Sequence, residues 1–192
     1  MKVLAVNGSP RKKGNTQLML DAAAKELKSQ GIKVEVVSLA GLDVRPCDGC
    51  EQCYKKAWDC PIEDDAMAIL KKMASADGML MASPVYFGGV TAQLKALFDR
   101  SIMAYQAFDF RDKVGGALSV GGGVHGGQEL TVGQIVVFFL THDMIVANAE
   151  GGIYGGMCTG NDRGDVLSDS EGMKSVRSLA KRMAHLLKNR TK

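Results

Sequence analysis

The chain alternates short apolar runs with segments of helical periodicity, and this alternation constrains its fold more than any other feature. Five apolar runs predict β-strands, at 2–7, 32–39, 78–82, 113–120 and 144–149. Apolar residues that recur every three or four positions predict helices, at 16–30, 63–76, 90–104, 128–141 and 169–188. Because the strands are apolar on both faces, we expect a parallel sheet covered by helices on both sides.

The order of these elements also predicts the topology of the sheet and the position of a ligand site. Five strands joined by right-handed helical crossovers fit the doubly wound order 2-1-3-4-5, in a single α/β domain over residues 1–192. In this order strands 1 and 3 are neighbours, and the crevice at their carboxyl ends is the expected binding site. Two segments lack periodicity: an irregular cysteine-bearing insertion at 41–61, after strand 2, and a glycine-rich stretch at 151–168.

The loop after strand 1 predicts a phosphate site. It reads Asn-Gly-Ser-Pro-Arg-Lys-Lys-Gly-Asn-Thr over residues 7–16 and leads into a helix, whose free N–H groups and dipole favour an anion. Its candidate ligands are Ser9, Arg11, Lys12, Gly14, Asn15 and Thr16. The loop matches neither Gly-x-Gly-x-x-Gly nor the Gly-Lys-Ser/Thr nucleotide loop, so it specifies neither a dinucleotide nor ATP. An ordinary turn in a basic protein is the alternative interpretation.

The loop after strand 3 predicts the site of a flat ring. It reads Ser-Pro-Val-Tyr-Phe-Gly-Gly over residues 83–89, where a proline stiffens the turn and two glycines let the backbone approach a ligand closely. Backbone N–H groups in such a loop suit the carbonyls and ring nitrogens of an isoalloxazine. The candidate residues are Pro84, Val85, Tyr86, Phe87 and Gly88. The alternative is a turn that buries two aromatic side chains in the core.

The loop after strand 4 is unusually rich in glycine over residues 121–127. Ordering so much glycine costs conformational entropy, which is easier to explain if the loop closes on a ligand. The candidate residues are Gly121, Gly122, Gly123 and His125, whose imidazole can donate to a flavin. A mobile loop with a solvated histidine is the alternative. No other residue of the chain stands out as a catalytic acid or base.

Four cysteines predict a metal centre in the insertion. Cys47, Cys50, Cys53 and Cys60 form a Cys-x2-Cys-x2-Cys-x6-Cys array. Three thiolates at three-residue spacing with a fourth beyond them are typical of a [4Fe–4S] cluster. The alternatives are a zinc site, which more often uses two separated pairs of ligands, and unliganded thiols or disulfides. Cys158 stands apart from the array and is expected to be a small core or loop residue.

The composition excludes several other classes of function. A formal net charge of +3 over 192 residues, with no long run of lysine or arginine, argues against nucleic-acid binding. The longest apolar run, at 135–140, is too short to span a membrane. The predicted strand at the N-terminus does not read as a signal peptide, so we expect a cytoplasmic protein with reduced thiols.

Taken together, these motifs resemble the iron–sulfur flavoprotein family, which belongs to a wider flavodoxin-like group that includes NADPH-dependent FMN reductases. The resemblance runs from residue 1 to about residue 150, and the cysteine spacing is its most specific part. The matching residues are Gly8-Ser9-Pro10-Arg11, Gly14-Asn15-Thr16, the four cysteines followed by Asp64-Asp65, Ser83 to Phe87, Lys95 to Asp99-Arg100, and Gly126 to Glu129. One departure is Val124-His125, which stands where the family often carries an arginine.

The resemblance implies a flavodoxin-like protein in which three loops hold FMN and four cysteines hold a [4Fe–4S] cluster. It also implies a homo-oligomer, a dimer or a tetramer, in which a cluster serves the flavin of a neighbouring subunit. Electrons would pass between a redox partner such as ferredoxin, the cluster and FMN. One alternative is an NAD(P)H-dependent FMN or quinone reductase whose cysteines are vestigial or bind zinc. Another is a non-catalytic flavin-dependent sensor.

Two charged pairs near the cysteines have structural interpretations. Asp64-Asp65 stand at a predicted helix start, where carboxylates suit the helix dipole, so we expect them to cap that helix rather than bind a metal. Asp99-Arg100 are expected to form an ion pair or a subunit contact. The histidines outside the glycine-rich loop, His142 and His185, are expected to be structural or exposed.

Overall fold

Four strands form most of a parallel sheet in the computed structural model, which describes residues 1–190 and so leaves the last two residues of the predicted domain undescribed. They are β1 (Lys2–Asn7), β2 (Lys33–Ser38), β3 (Gly78–Pro84) and β4 (Val114–Gly121). Their order is β2-β1-β3-β4, and every pairing is parallel. β1, β3 and β4 therefore end at the edge of the sheet where the three predicted loops begin.

Two short strands share the fifth position of the sheet. β5 (Ile145–Val146) pairs with the start of β4 and β6 (Gly156–Thr159) pairs with its end, both in parallel. The predicted order 2-1-3-4-5 is confirmed, but the fifth strand predicted at 144–149 is too long. The prediction of an irregular segment at 151–168 missed β6, because its glycines read as loop residues. Glycine is needed there, since a Cβ on Gly155 would overlap the backbone of β4.

The five predicted helices lie near their predicted positions with one of them divided, and a short further helix lies in the insertion that we expected to be irregular. The helices are α1 (Asn15–Ser29), α2 (Gln52–Lys55), α3 (Ala66–Ser75), α4 (Ala92–Arg100), α5 (Ile102–Tyr105), α6 (Gln128–Thr141) and α7 (Ser170–Asn189), with a 3₁₀ turn at Asp165–Leu167. The helix predicted at 90–104 is divided at Ser101. The Ser101 hydroxyl donates to the Phe98 carbonyl oxygen at 2.6 Å, a bond that tends to bend helices. Among the residues described, no helix is long and apolar enough to cross a membrane.

Two apolar cores cover the two faces of the sheet. On one face, α1 and α7 pack on the strands through buried side chains such as Leu27 and Met183. On the other face, α3 and α4 do so through side chains such as Leu70 and Leu97. Successive residues of β1 enter alternate cores, which explains why that strand is apolar on both sides.

Candidate functional site

A cavity of about 310 Å³ lies at the carboxyl ends of the central strands, where the sequence predicts a ligand site. We call this cavity the crevice. Its lining residues come from four loops and are Ser9, Arg11, Lys13, Gly14, Asn15, Thr16, Pro84, Val85, Tyr86, Val120, Gly122, Gly160, Asn161 and Arg163. The structure therefore brings most of the predicted cofactor ligands of the first two loops to one place.

Hydrogen bonds to β3 and to the start of α4 fix the backbone of the first loop. The Gly8 N–H donates to the Ala82 carbonyl oxygen at 2.7 Å, and the Thr91 hydroxyl donates to the Gly8 carbonyl oxygen at 2.6 Å. A Cβ on Gly8 would lie 2.9 Å from the Leu94 side chain, so only glycine permits this close approach. The protein thus holds the loop in place by its own contacts.

Asn15, the first residue of α1, connects this loop to a segment that the sequence analysis missed. Its Nδ2 atom donates to the Asp162 carbonyl oxygen at 2.7 Å, and its Oδ1 atom accepts from the Gly164 N–H at 2.7 Å. The connected segment contributes Asn161 and Arg163 to the crevice. Recognition of β6 would have located them, because the loop after a parallel strand begins at the same edge of the sheet as the other loops.

Three cations line the crevice, and they differ in part from those predicted. Arg11 and Lys13 come from the first loop, and Arg163 comes from the loop after β6. The predicted ligand Lys12 does not line the crevice. Its ammonium group lies 3.6 Å from the position that a Cβ on Gly41 would take, next to the cysteine insertion. Successive side chains in a turn point in different directions, and the order of residues alone does not show which of them faces a ligand.

Both aromatic side chains of the second loop are exposed, so the interpretation in which they fill the core is wrong. Phe87 is fully exposed and Tyr86 is 45% exposed. The Tyr86 N–H donates to the Gly89 carbonyl oxygen at 2.9 Å, and the Gly89 N–H donates to the Tyr86 carbonyl oxygen at 3.1 Å. Between them, Phe87 and Gly88 both have positive φ angles. Tyr86 lines both the crevice and an adjacent groove between α4, α5 and α6, whereas Phe87 and Gly88 line only the groove.

The third loop contributes Gly122 to the crevice, whereas Gly121, Gly123 and His125 are not among its lining residues. His125 is exposed and has a φ angle of 59°. The loop is tied to α6, since the Gln128 Nε2 atom donates to the Gly123 carbonyl oxygen at 2.9 Å. The Oε1 atom of this buried glutamine has no hydrogen-bond partner within residues 1–190. A role for His125 toward a flavin stays a prediction.

The four cysteines of the insertion line one small cavity, which we call the cysteine cavity; α5 and Arg100 form part of its wall. Cys53 is buried, Cys60 is half-buried, and Cys47 and Cys50 are exposed. Burial raises the pKa of the Cys53 thiol, and the three neighbouring thiols raise it further. Within residues 1–190, no group of three or more histidine, cysteine or acidic side chains is arranged to hold a metal ion. The four thiols thus line one cavity but are not arranged around a metal position.

A buried ion pair stands at the cysteine cavity. The Arg100 Nη1 atom donates to Asp64 Oδ2 at 2.6 Å, and both side chains are almost completely buried. Arg100 and Asp99 do not pair with each other, because successive residues of a helix do not face each other. Asp99 instead pairs with Lys95 at 2.7 Å. Asp64 Oδ1 also accepts from the Ala66 N–H at 3.0 Å, which agrees with the predicted capping role for Asp64. For Asp65 that prediction is wrong, because its side chain makes no capping bond and instead accepts from the Asp43 N–H at 2.8 Å.

The residues of the crevice and of the cysteine cavity fit the FMN and the iron–sulfur cluster that the resemblance implies. The crevice combines three cations with the free N–H groups at the start of α1, which is the chemistry of a phosphate site. An exposed aromatic loop beside it suits a flat ring. The cysteine cavity offers four thiols, a donor set that suits an iron–sulfur cluster or zinc.

Comparison with known proteins places the chain in a family. Residues 1–154 match the family described as NADPH-dependent FMN reductase. An iron-sulfur flavoprotein of Methanocaldococcus jannaschii is 47% identical over 190 residues, which cover 98% of each chain. An iron-sulfur flavoprotein of Methanosarcina thermophila is 40% identical over 197 residues, which cover 100% of each chain.

Solved structures share the fold at low sequence identity. RosB with bound 8-demethyl-8-formylriboflavin-5'-phosphate has a TM-score of 0.78 at 19% identity, covering 98% of this chain and 79% of that one. A flavodoxin from the domain Archaea has a TM-score of 0.61 at 16% identity, covering 98% and 100%. The flavodoxin-like fold and the family match define a flavin-dependent oxidoreductase. Its full-length relatives show more narrowly that the chain belongs to the iron–sulfur flavoprotein family.

Proposed function

We propose that the protein is an FMN-dependent electron-transfer flavoprotein that carries a [4Fe–4S] cluster on Cys47, Cys50, Cys53 and Cys60. The observation that carries the proposal is that these four thiols line one cavity, in a chain whose sheet edge also bears a cationic crevice. When bound, the cluster supplies one-electron transfer and FMN supplies one- or two-electron transfer, so the pair connects the two kinds of chemistry. The proposed redox partner is a one-electron carrier such as a ferredoxin.

In this proposal the crevice holds the phosphate of FMN and orients its ring. Arg11, Lys13 and Arg163 neutralise the phosphate, and the N–H groups at the start of α1 donate to it. The loop of Tyr86 and Phe87 lies beside the ring and shields it from water. The family match to FMN reductases supports this assignment, as does the flavin phosphate derivative, 8-demethyl-8-formylriboflavin-5'-phosphate, bound in the RosB structure.

The cluster assignment is supported by the donor set and by the names of the full-length relatives. Four thiolates are the usual ligands of a [4Fe–4S] cluster, and the two full-length relatives are both named iron-sulfur flavoproteins. In the proposed site, Cys53 binds from the interior while Cys47 and Cys50 approach from the exposed side. Ligation requires reduced thiols, which fits the cytoplasmic location that we propose.

The groove next to the flavin loop supports a homo-oligomer, which we propose to be a dimer or a tetramer. The groove has a volume of about 1160 Å³ and contains the stacked rings of Phe98 and Phe138 and the exposed Leu130. The exposed apolar side chains of Phe87, Leu130 and Val137 line it together, and grouped exposed apolar side chains are a feature of interfaces. The groove reaches from Phe87 to Ile102, and Ile102 also lines the cysteine cavity. A second subunit in the groove would therefore lie between the two redox sites.

Anaerobically prepared protein tests the proposal. We expect one FMN, four irons and four labile sulfides per subunit, with visible absorption from both groups. Reduced ferredoxin should reduce the flavin faster in this protein than in protein from which the iron has been chelated. FMN without iron or sulfide, or zinc in place of iron, would contradict the cluster assignment.

An NAD(P)H-dependent FMN or quinone reductase is the second candidate function, because the matching family is described as NADPH-dependent FMN reductase. The same preparation distinguishes the two. Rapid NADPH oxidation by iron-free protein would favour the reductase. A flavin-dependent sensor would instead bind FMN and change its affinity for a partner protein without supporting electron transfer by either route.

A further inference from the structure

The buried arginine beside the cysteine cavity has one N–H group that the described protein leaves unsatisfied. Arg100 is 1% exposed and ends α4. Its Nη1 atom donates to Asp64 Oδ2 at 2.6 Å and to the Arg45 carbonyl oxygen at 3.2 Å, and its Nη2 atom donates to the Ile62 carbonyl oxygen at 3.2 Å. Its buried Nε atom has no hydrogen-bond partner within residues 1–190. Since buried N–H groups in native proteins are nearly always bonded, this N–H needs an acceptor.

The cysteine cavity can supply that acceptor. Arg100 lines this cavity together with the four cysteines. Burial lowers the pKa of the guanidinium, but Asp64 and then Cys60 raise it, so that it lies above its ordinary value. Sulfur atoms of ligated iron–sulfur clusters accept hydrogen bonds, and such bonds are one means by which proteins tune these clusters.

The anchoring of Asp64 fixes the orientation of the guanidinium. Asp64 accepts from the Arg45 N–H at 2.9 Å and from the Ala66 N–H at 3.0 Å, in addition to its bond from Arg100. The carboxylate is therefore held by the backbone on both sides of it in the chain. Because the guanidinium is planar and rigid, holding its Nη atoms also fixes the direction of its Nε–H. The arginine cannot turn this N–H without breaking those bonds.

We propose that Arg100 is a positioning residue for the cluster: its Nε–H donates to a sulfur of the liganded quartet, and its charge stands beside that sulfur. This inference rests on the proposed function, since it requires a cluster on the four cysteines. A reduced cluster carries one more negative charge than an oxidised one, so a donor and a positive charge beside it stabilise the reduced form more. Arg100 therefore raises the reduction potential of the cluster.

Reconstituted protein and three variants test this role by potentiometric titration monitored by electron paramagnetic resonance, with iron and sulfide assays alongside. Asp64→Asn combined with Arg100→Gln removes the ion pair without leaving a buried charge unpaired. We expect its cluster potential to fall by about 60 mV or more, a tenfold change for one electron. Arg100→Lys keeps a charge but loses the fixed Nε–H, and should shift the potential in the same direction by less. Arg111→Gln removes an exposed arginine charge outside the cavity and should leave the potential unchanged.

The outcomes separate this inference from the proposed function. Wild-type protein that holds no cluster overturns both. A wild-type cluster whose potential is the same in the double variant and in Arg100→Lys overturns only the role of Arg100. If the double variant and Arg100→Lys both lose iron while their apoproteins unfold at the wild-type temperature, the loss is confined to the metal site and supports the role of Arg100. If both apoproteins fail to fold, Arg100 is a structural residue and the inference is wrong.

Discussion

The flavin crevice and the cysteine cavity differ in how much of their geometry the protein builds without a ligand. The crevice stands on the ends of the central strands, and bonds between Gly8, β3 and Thr91 hold its first loop. The cysteine cavity is formed by an insertion with a single four-residue helix, and two of its four thiols are exposed. On the proposed function, we therefore expect the crevice to be preorganised and the insertion to complete its structure when its thiols bind the cluster.

The largest effect is expected from the removal of one thiol. Cys50→Ser should reduce the iron content to near zero, because a cluster that loses a ligand is labile, and should leave the FMN content near that of wild type. Iron, sulfide and FMN assays on anaerobic protein measure both. Cys158→Ala, in the buried β6 strand, is the matched control and should keep its iron. Loss of FMN together with iron in Cys50→Ser would show that the two sites do not form independently.

A methyl group at Gly8 should disturb the preorganised loop. The Cβ would lie 2.9 Å from the Leu94 side chain and 3.1 Å from the Ala82 carbonyl oxygen, so the loop must move. We expect a loss of about 1–3 kcal/mol in the free energy of unfolding and a weaker affinity for FMN, measured by denaturation and flavin titration. Gly14→Ala, whose Cβ would make only an ordinary 3.4 Å contact with Arg11, should cost much less stability. Equal losses in the two variants would argue against preorganisation by the Gly8 contact.

The stability of the protein should fall in acid, because a buried histidine supports the wall of the cysteine cavity. His142 Nε2 lies 2.8 Å from Ser101 Oγ, at the junction of α4 and α5. Burial lowers the pKa of His142 from 6.5 to about 4. The unfolded chain therefore takes up a proton that the folded protein does not, and stability falls as the pH drops below about 6.5 and down to about 4. At pH 5 the loss should be about 2 kcal/mol relative to pH 7.5.

Urea unfolding of the apoprotein at the two pH values measures this difference in stability. Two histidine variants then show which imidazole causes it. His142→Gln should reduce the difference strongly, whereas His185→Gln, at an exposed position of α7, should leave it intact. An undiminished pH dependence in His142→Gln would rule out the buried imidazole as its source.

The smallest predicted effect is on the affinity for FMN, and it comes from a comparison of two neighbouring lysines. Lys13→Gln should weaken FMN binding by about tenfold, the magnitude of one charge-assisted hydrogen bond. Lys12→Gln should change it little, because Lys12 does not line the crevice. Riboflavin, which lacks the phosphate, should bind equally to both variants. Equal weakening of FMN binding in both would mean that net charge, rather than position, determines the affinity.

The sequence predicts the sheet order and the loops of the crevice because both depend on local patterns. Apolar periodicity marks each strand, and the order of strands determines which loops share an edge of the sheet. The exposure of Phe87 excludes a core role for that side chain, but its place in the groove rather than in the crevice could not be predicted from the order of residues. The split fifth strand was missed because glycines such as Gly155, which allow close backbone packing, look like loop residues in the sequence.

Other features depend on contacts between distant segments and leave no local pattern. Arg163 reaches the crevice because Asn15 binds its loop from far away in the chain. Arg100 pairs with Asp64 rather than with its neighbour Asp99, and this choice depends on where α4 faces the insertion. Which of the two lysines, Lys12 or Lys13, lines the crevice likewise depends on the conformation of the folded turn.

Anomalous diffraction at the iron absorption edge, from crystals grown without oxygen, tests the central claim most directly. We predict strong iron signal within the cavity lined by the four cysteines, and FMN density with its phosphate against Arg11, Lys13 and Arg163. Crystals that contain FMN in the crevice but show no iron signal among the cysteines, or show zinc there instead, would contradict the account.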